Sequence, residues 1–384
     1  MRMSKRIAES IYSPPGQLGR WVATDAISSV VRDPAEIAKR LLVQTASIRS
    51  LVMASLLVGL APVSGHSQAA GPSRKHSVTN SPILHYNVVH GWPVLPENTI
   101  LDEVSAVAVD SQDDVLVLQR GGRKWPDSGP LDESPIPVPT VFVFDGRSGR
   151  LLKKWGENIL ALPHSITVDS KDNVWIADVA LHQVFKFSHG GKLLLKFGER
   201  AVAGDDTAHF NRPSDVAVAP DGSFYVSDGY GNNRIVKFDA DGRFLLQWGS
   251  KGKNPGQFDL PHALTFDRGT VYVLDRGNHR VQIFDSQGHY LTEWKGPPFA
   301  SLQDVKIGRH GLAFVVQMGP AKLPDVSGLL VMRSDGSLVE RVGRYGNYDG
   351  QFLDVHWVAV AKSGAVYTAD FEGRRVQKFV RRKN

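Results

Sequence analysis

The sequence predicts an all-β fold, a six-bladed β-propeller. One phrase recurs six times between residues 104 and 380, its strand-forming stretches alternate in polarity, and turn residues punctuate it at regular intervals. The phrase is an apolar pair, a turn, a strand of the V-Y-V type, a short polar loop and a V-x-x-F strand. It begins as VSAVAVDSQDDVLVLQR at Val104, HSITVDSKDNVWIADVALHQVFKF at His164 and SDVAVAPDGSFYVSDGYGNNRIVKF at Ser214. It returns as HALTFDRGTVYVLDRGNHRVQIF at His262, QDVKIGRHGLAFVVQM at Gln303 and HWVAVAKSGAVYTADFEGRRVQKF at His356. Successive starts lie about 40–60 residues apart, the spacing of propeller blades.

Each element has a local reason. The stretches of four to six residues with period two are half-buried strands. Asp221-Gly222 and Asp241-Gly242 are hairpin turns. The 37 Gly and 22 Pro are spread along the chain, so they mark many tight turns and no single low-complexity block. A fourth strand of the FLLQWG type (Phe244–Gly249) completes a unit. One blade cannot bury both its faces, so six stacked around an axis make the core. They resemble repeats of the NHL type.

The sixth unit stops at Val380, after its third strand, while ILHYNVVHGWPV (residues 83–94) is a strand with no unit of its own. It is expected to supply the missing outer strand and close the ring, which removes two exposed edges. The propeller is thus predicted over residues 83–384.

Residues 1–75 fall outside this pattern. They contain LVMASLLVGLAP from Leu51 to Pro62, with Arg40 and Arg49 before it and small residues after it. The stretch is too short to span a bilayer comfortably and suits the apolar part of a signal peptide. Residues 1–75 are therefore expected to be a processed or disordered leader. The mature protein is expected to be exported, periplasmic or secreted, with no membrane insertion.

Charge and cysteine content exclude other classes. The net charge of +6 resides in residues 1–75; removing their ten basic and four acidic residues leaves 35 of each. No basic excess remains to mark a nucleic-acid surface. With no cysteine there are no disulfides, thiolate ligands or cysteine nucleophiles.

The opening position of the six units holds Val104, His164, Ser214, His262, Gln303 and His356. Histidine occupies every second unit. The first strand of each blade lines the channel, so His164, His262 and His356 should converge a third of a turn apart. Any single histidine could be a packed core residue. The joint pattern is that of a three-imidazole metal site, for which zinc is the first choice; iron, copper and nickel also accept imidazole. Other histidines (His182, His189, His209, His279, His289) fall in loops.

Near one mouth of the channel stand Arg120, Tyr230 and Arg276, at or just after the ends of second strands. A guanidinium there can bind a carboxylate bidentately, and a phenol beside a metal is a candidate base. The alternatives are a surface turn for Tyr230 and inter-blade ion pairs for the arginines. Arg234, Arg280 and Arg375 recur at the start of the V-x-x-F strand, which suits blade packing.

With LPHSITVD, SDGYGNNRIVKF, LPHALTFD followed by LDRGNHRVQ, and VHWVAVA, the chain resembles the peptidyl-α-hydroxyglycine α-amidating lyase family and its bacterial relatives over about residues 84–380. The resemblance implies zinc on His164, His262 and His356, a catalytic Tyr230, and active-site arginines at Arg120 and Arg276. It also implies a calcium ion held by the backbone carbonyls of Val104 and Ile166 and by an aspartate after the third histidine. That last position is Trp357 here, and a methionine two residues before the third histidine is Asp354. The implied reaction splits an α-hydroxyglycine-type carbinolamide, a small molecule or peptide, into an amide and glyoxylate, by a protein expected to be a monomer. Two other readings stand beside it: a metal-dependent hydrolase or lactonase, and a non-enzymatic binding scaffold.

Overall fold

A computed structural model describes residues 85–126, 128–295, 300–319 and 322–382. The predicted leader and residues 83–84 of the predicted closing strand lie outside the described residues. The described chain forms six four-stranded antiparallel sheets, the six blades. Blade 1 comprises β2 (Val104–Val109), β3 (Val115–Gln119), β4 (Val141–Phe144) and β5 (Leu151–Trp155). Blade 2 comprises β6 (Pro163–Val168), β7 (Val174–Asp178), β8 (Gln183–Phe187) and β9 (Leu193–Phe197). Blade 3 comprises β10 (Asp215–Val218), β11 (Phe224–Asp228), β12 (Arg234–Phe238) and β13 (Phe244–Trp248). Blade 4 runs from β14 (Pro261–Asp267) through β15 (Thr270–Asp275) and β16 (Arg280–Asp285) to β17 (Tyr290–Lys295). Blade 5 runs from β18 (Ser301–Ile307) through β19 (Ala313–Met318) and β20 (Gly328–Met332) to β21 (Leu338–Val342).

Blade 6 is assembled from both ends of the described chain. β22 (Val355–Val360), β23 (Val366–Asp370) and β24 (Arg375–Arg381) are joined by β1 (Tyr86–Val88), which pairs antiparallel with β24. The closing strand is shorter than predicted because the chain turns at His90–Gly91, where Gly91 has φ 72°. Beyond the turn, the Val94 N–H donates to the Gly149 carbonyl (2.9 Å) in blade 1. One segment therefore ties the last blade to the first.

A repeated contact joins the blades. The turn glycine between third and fourth strands lies on the aromatic ring that ends the previous blade's outer strand. The pairs are Gly191 on Trp155, Gly242 on Phe197, Gly288 on Trp248 and Gly336 on Trp294. Gly149 on Trp92, just after β1, repeats the contact where the ring closes. These glycines have positive φ, and a Cβ would overlap the ring, so both backbone and space require glycine. Gly288→Ala is expected to lower stability by about 1–3 kcal/mol through strain and overpacking, measured as a lower urea midpoint. An unchanged midpoint would mean that the ring yields without cost.

The inner strands β2, β6, β14, β18 and β22 each carry a bulge near their start. The extra residue leaves the ladder, and its side chain is re-aimed. The bulged residues are Ser105, His164, His262, Gln303 and His356; in β10 the equivalent is Ser214, just before the first ladder pair, Asp215 with Ser227. This corrects the sequence alignment in blade 1. Val104 pairs with Gln119 as Pro163 pairs with Asp178, so Val104 is the counterpart of Pro163, and Ser105 is the counterpart of the histidines.

Candidate metal centre

The alternation of histidine among the bulged positions brings three imidazoles together at the channel axis. His164, His262 and His356 are all buried. Their ring centres are 4.8–5.2 Å apart, and the planes are nearly perpendicular. Their candidate ligand atoms all lie within 4.8 Å of one another, the one such group of three metal-ligating side chains among the described residues.

The same bulge layer orients each ring. The Nδ1 of His164 lies 2.7 Å from the Ser214 carbonyl, that of His262 2.7 Å from the Gln303 carbonyl, and that of His356 2.6 Å from the Ser105 carbonyl. Each acceptor belongs to the bulged position of the next blade. A carbonyl only accepts, so Nδ1 carries the proton and each Nε2 keeps a free lone pair. Burial pushes all three imidazoles below their ordinary pKa, His356 to about 3. Neighbouring charge adds to this: Arg276 acts on His262, and His356 then Arg120 on His164. Three neutral imidazoles, each backed by a carbonyl, form a donor set that fits a metal ion of the zinc type.

Around the triad stand the other residues singled out from the sequence. The Tyr230 hydroxyl is 3.0 Å from the Nε2 of His164 and 3.0 Å from that of His262, so Tyr230 faces the triad and is not on a surface turn. Arg276 opens a short 3-10 turn (Arg276–Asn278), and its Nη1 reaches the Tyr230 hydroxyl (3.5 Å) and Gln303 Oε1 (3.3 Å). Arg120 follows β3 and is buried; its Nε donates to the carbonyl of Pro163 (3.3 Å), the residue before His164. Its guanidinium carbon lies 4.6 Å from the Phe371 ring centre and 6.0 Å from that of Trp125. Burial lowers its pKa, with Tyr230 and Glu103 opposing, but a guanidinium keeps its charge. The alternative reading of the two arginines as inter-blade ion pairs has no counterpart here: among the described residues neither Arg120 nor Arg276 has a salt-bridge partner. Asp354 is pushed up to about 6, first by burial and then by Glu372 and Asp370, against the opposing charges of Arg276 and Arg120.

Arg234, Arg280 and Arg375 behave as blade-packing residues. They pair with the buried Asp228 (3.0 Å), Asp275 (2.8 Å) and Asp370 (3.1 Å). The loop histidines are held elsewhere: His182 accepts from the Arg212 N–H, His189 meets Asp110, His209 meets Asp206, His279 meets the Ala300 carbonyl and His289 meets Asp285.

Three site residues escaped the sequence reading. Trp125 packs on Tyr230, with ring centres 4.9 Å apart, but lies in a loop with no counterpart in other units. Gln303 holds the opening repeat position, yet its role as partner to both His262 and Arg276 depends on the neighbouring blade. Phe371 follows Asp370 as Arg276 follows Asp275 and Arg120 follows Gln119, so repeat alignment could have found it.

Residues 160–187, 210–238 and 258–284, in blades 2, 3 and 4, match the NHL repeat family. The chain is similar to peptidyl-alpha-hydroxyglycine alpha-amidating lyase 2 of Drosophila melanogaster, 33% identical over 76% of this chain and 75% of the relative. It is also 33% identical to peptidyl-glycine alpha-amidating monooxygenase A of Xenopus laevis over 80% of this chain, but spans only 34% of that relative's length. Among solved structures, a gluconolactonase from Xanthomonas campestris superposes with a TM-score of 0.53 at 13% identity, over 74% of this chain and 88% of the other, a likeness of fold alone. With a lyase relative matched over three quarters of its length and the histidine triad in place, the chain belongs to the peptidyl-α-hydroxyglycine α-amidating lyase family.

Proposed function

We propose that this protein is a zinc-dependent carbon–nitrogen lyase that cleaves an α-hydroxyglycine-type carbinolamide, a small molecule or peptide, into an amide and glyoxylate. The observation that carries the reading is the Tyr230 hydroxyl, 3.0 Å from the Nε2 atoms of two triad histidines and in reach of Arg276. A base, an electrophile site and an anion-binding group therefore share one small volume, as this reaction requires.

His164, His262 and His356 would hold the metal, which when bound acts as a Lewis acid toward the substrate's α-hydroxyl and makes its proton easier to remove. The substrate carboxylate is held by a guanidinium, with Arg276 placed to do so beside Tyr230. Tyr230, acting as its phenolate, accepts the hydroxyl proton. The C–O bond becomes the carbonyl of glyoxylate, the C–N bond breaks, and its electron pair leaves with the nitrogen. Tyr230 can return the proton to that nitrogen, giving the amide and restoring the side chain. Trp125 and Phe371 flank Tyr230 and Arg120 and limit water around the developing charges.

Tyr230→Phe is expected to lower kcat for glyoxylate release about 10²–10⁴-fold while KM and metal content change little, the usual scale for loss of an acid–base group. A wild-type kcat in this variant would remove Tyr230 from the chemistry. All the site residues come from one ring, which supports a monomer as the working unit. The apolar stretch Leu51–Pro62 supports export to the periplasm or medium, and mass spectrometry of the mature N-terminus would test it.

A further inference from the structure

We infer that the ammonium of Lys306 is the structural cation of the central channel and stands where a divalent ion would otherwise be needed. The register gives the residue that follows each bulged position: Ala106, Ser165, Asp215, Ala263, Asp304 and Trp357. Two residues further on, five blades carry Ala108, Thr167, Ala217, Thr265 and Ala359, and blade 5 carries Lys306. Five small side chains leave room at the axis for one long one.

The lysine meets two fully buried carboxylates. Its Nζ lies 2.6 Å from Asp304 and 3.7 Å from Asp215. Each carboxylate also ties its blade to the next. Asp215 accepts from the N–H groups of Val216 (2.8 Å) and Leu264 (2.9 Å), and Asp304 from those of Val305 (2.8 Å) and Val358 (3.1 Å). Burial pushes both carboxyls up, Asp304 to about 7, and Lys306 is the nearby charge that counters the shift. Burial works against the charge on Lys306, yet Asp304 and Asp215 together hold its pKa above the ordinary lysine value.

Trp357 separates this cluster from the triad. Its ring centre is 5.0 Å from Lys306 Nζ and 5.3–5.9 Å from the three imidazole centres. The channel therefore holds the triad, an indole and an ammonium in succession, and the ammonium gains a cation–π contact.

The calcium ion that family resemblance implies does not fit these residues. Trp357 brings no ligand oxygen where a carboxylate is implied, while the register makes Val107 rather than Val104 the blade 1 counterpart of Ile166. An adjacent ammonium would repel a second cation.

The test uses the full chain, stripped of metal, reloaded with zinc and dialysed to equilibrium against calcium. No retained calcium and no calcium-dependent change in Tm are expected; one calcium per chain, or a Tm that rises with calcium, would overturn the proposal. As a second arm, Lys306→Met is expected to lower Tm by roughly 5–10 °C, because it leaves two buried carboxylates without their cation. Adding Asp304→Asn should recover part of that loss. An unchanged Tm in Lys306→Met would also overturn the proposal, and if that variant does not fold, the calcium measurement on the wild type decides alone.

Discussion

His262→Ala is expected to lose stoichiometric metal and, with it, measurable glyoxylate release. Alanine leaves two nitrogen donors where a catalytic zinc of this type takes three protein ligands. Even outer partners of metal ligands are worth about 10–100-fold in affinity, so loss of a ligand should exceed that range. The substitution also removes one of the two imidazoles that face the Tyr230 hydroxyl and leaves the Gln303 carbonyl without its donor. The ring should survive, because the bulge that carries residue 262 is set by the β14–β15 ladder and not by the imidazole. Metal analysis after gel filtration, beside a circular dichroism spectrum, checks both halves of the expectation. A folded variant that keeps one metal per chain would place the metal elsewhere.

Arg280→Met should cost about 3–5 kcal/mol of stability, the range for removing one partner of a buried ion pair. The guanidinium donates to Asp275 (2.8 Å) and Glu293 (2.9 Å) and to the carbonyls of Lys253 (2.8 Å), Asn254 (3.1 Å) and Gln257 (2.8 Å). It thus ties the loop before β14 to the end of β15. Asp275 would remain buried with its charge opposed by fewer donors. The damage should reach the site, because Asp275 immediately precedes Arg276 and also accepts from the Asp259 N–H (2.7 Å). A rise in KM is therefore expected beside the lower urea midpoint. Arg243→Met, at an exposed pair with Asp241, should leave the midpoint unchanged. Equal midpoints for Arg280→Met and wild type would contradict the clamp.

The ring and the triad were legible because the sequence repeats. Six copies of one phrase make the blade count a matter of alignment, and histidine at one position of alternate copies implies convergence before any coordinate is known. The closing strand was legible from a deficit, since the sixth unit lacked a partner. Its length was not, because the turn at His90–Gly91 interrupts an otherwise apolar run. The bulges were illegible for a physical reason. A bulge adds a residue without demanding a residue type; only the spacing marks it, since Asp169 and Asp267 lie five residues after His164 and His262, and five residues before Asp110 stands Ser105 and not Val104. Trp357 was visible as a departure from the family, but its consequence was not. Lys306 and Asp304 share β18 in blade 5, but Asp215 comes from blade 3 and meets them only once the sheets are stacked. Trp125 had no repeat to be read against.

The triad and Tyr230 are proposed as one metal-dependent lyase site. The most direct measurement is glyoxylate released from a peptidyl-α-hydroxyglycine by the purified protein, zinc-loaded, after chelation, and after zinc is restored. Release that requires one zinc per chain, stops on chelation and returns with the metal is the expected result. A folded, zinc-loaded protein that releases no glyoxylate above the uncatalysed rate would rule out this lyase site.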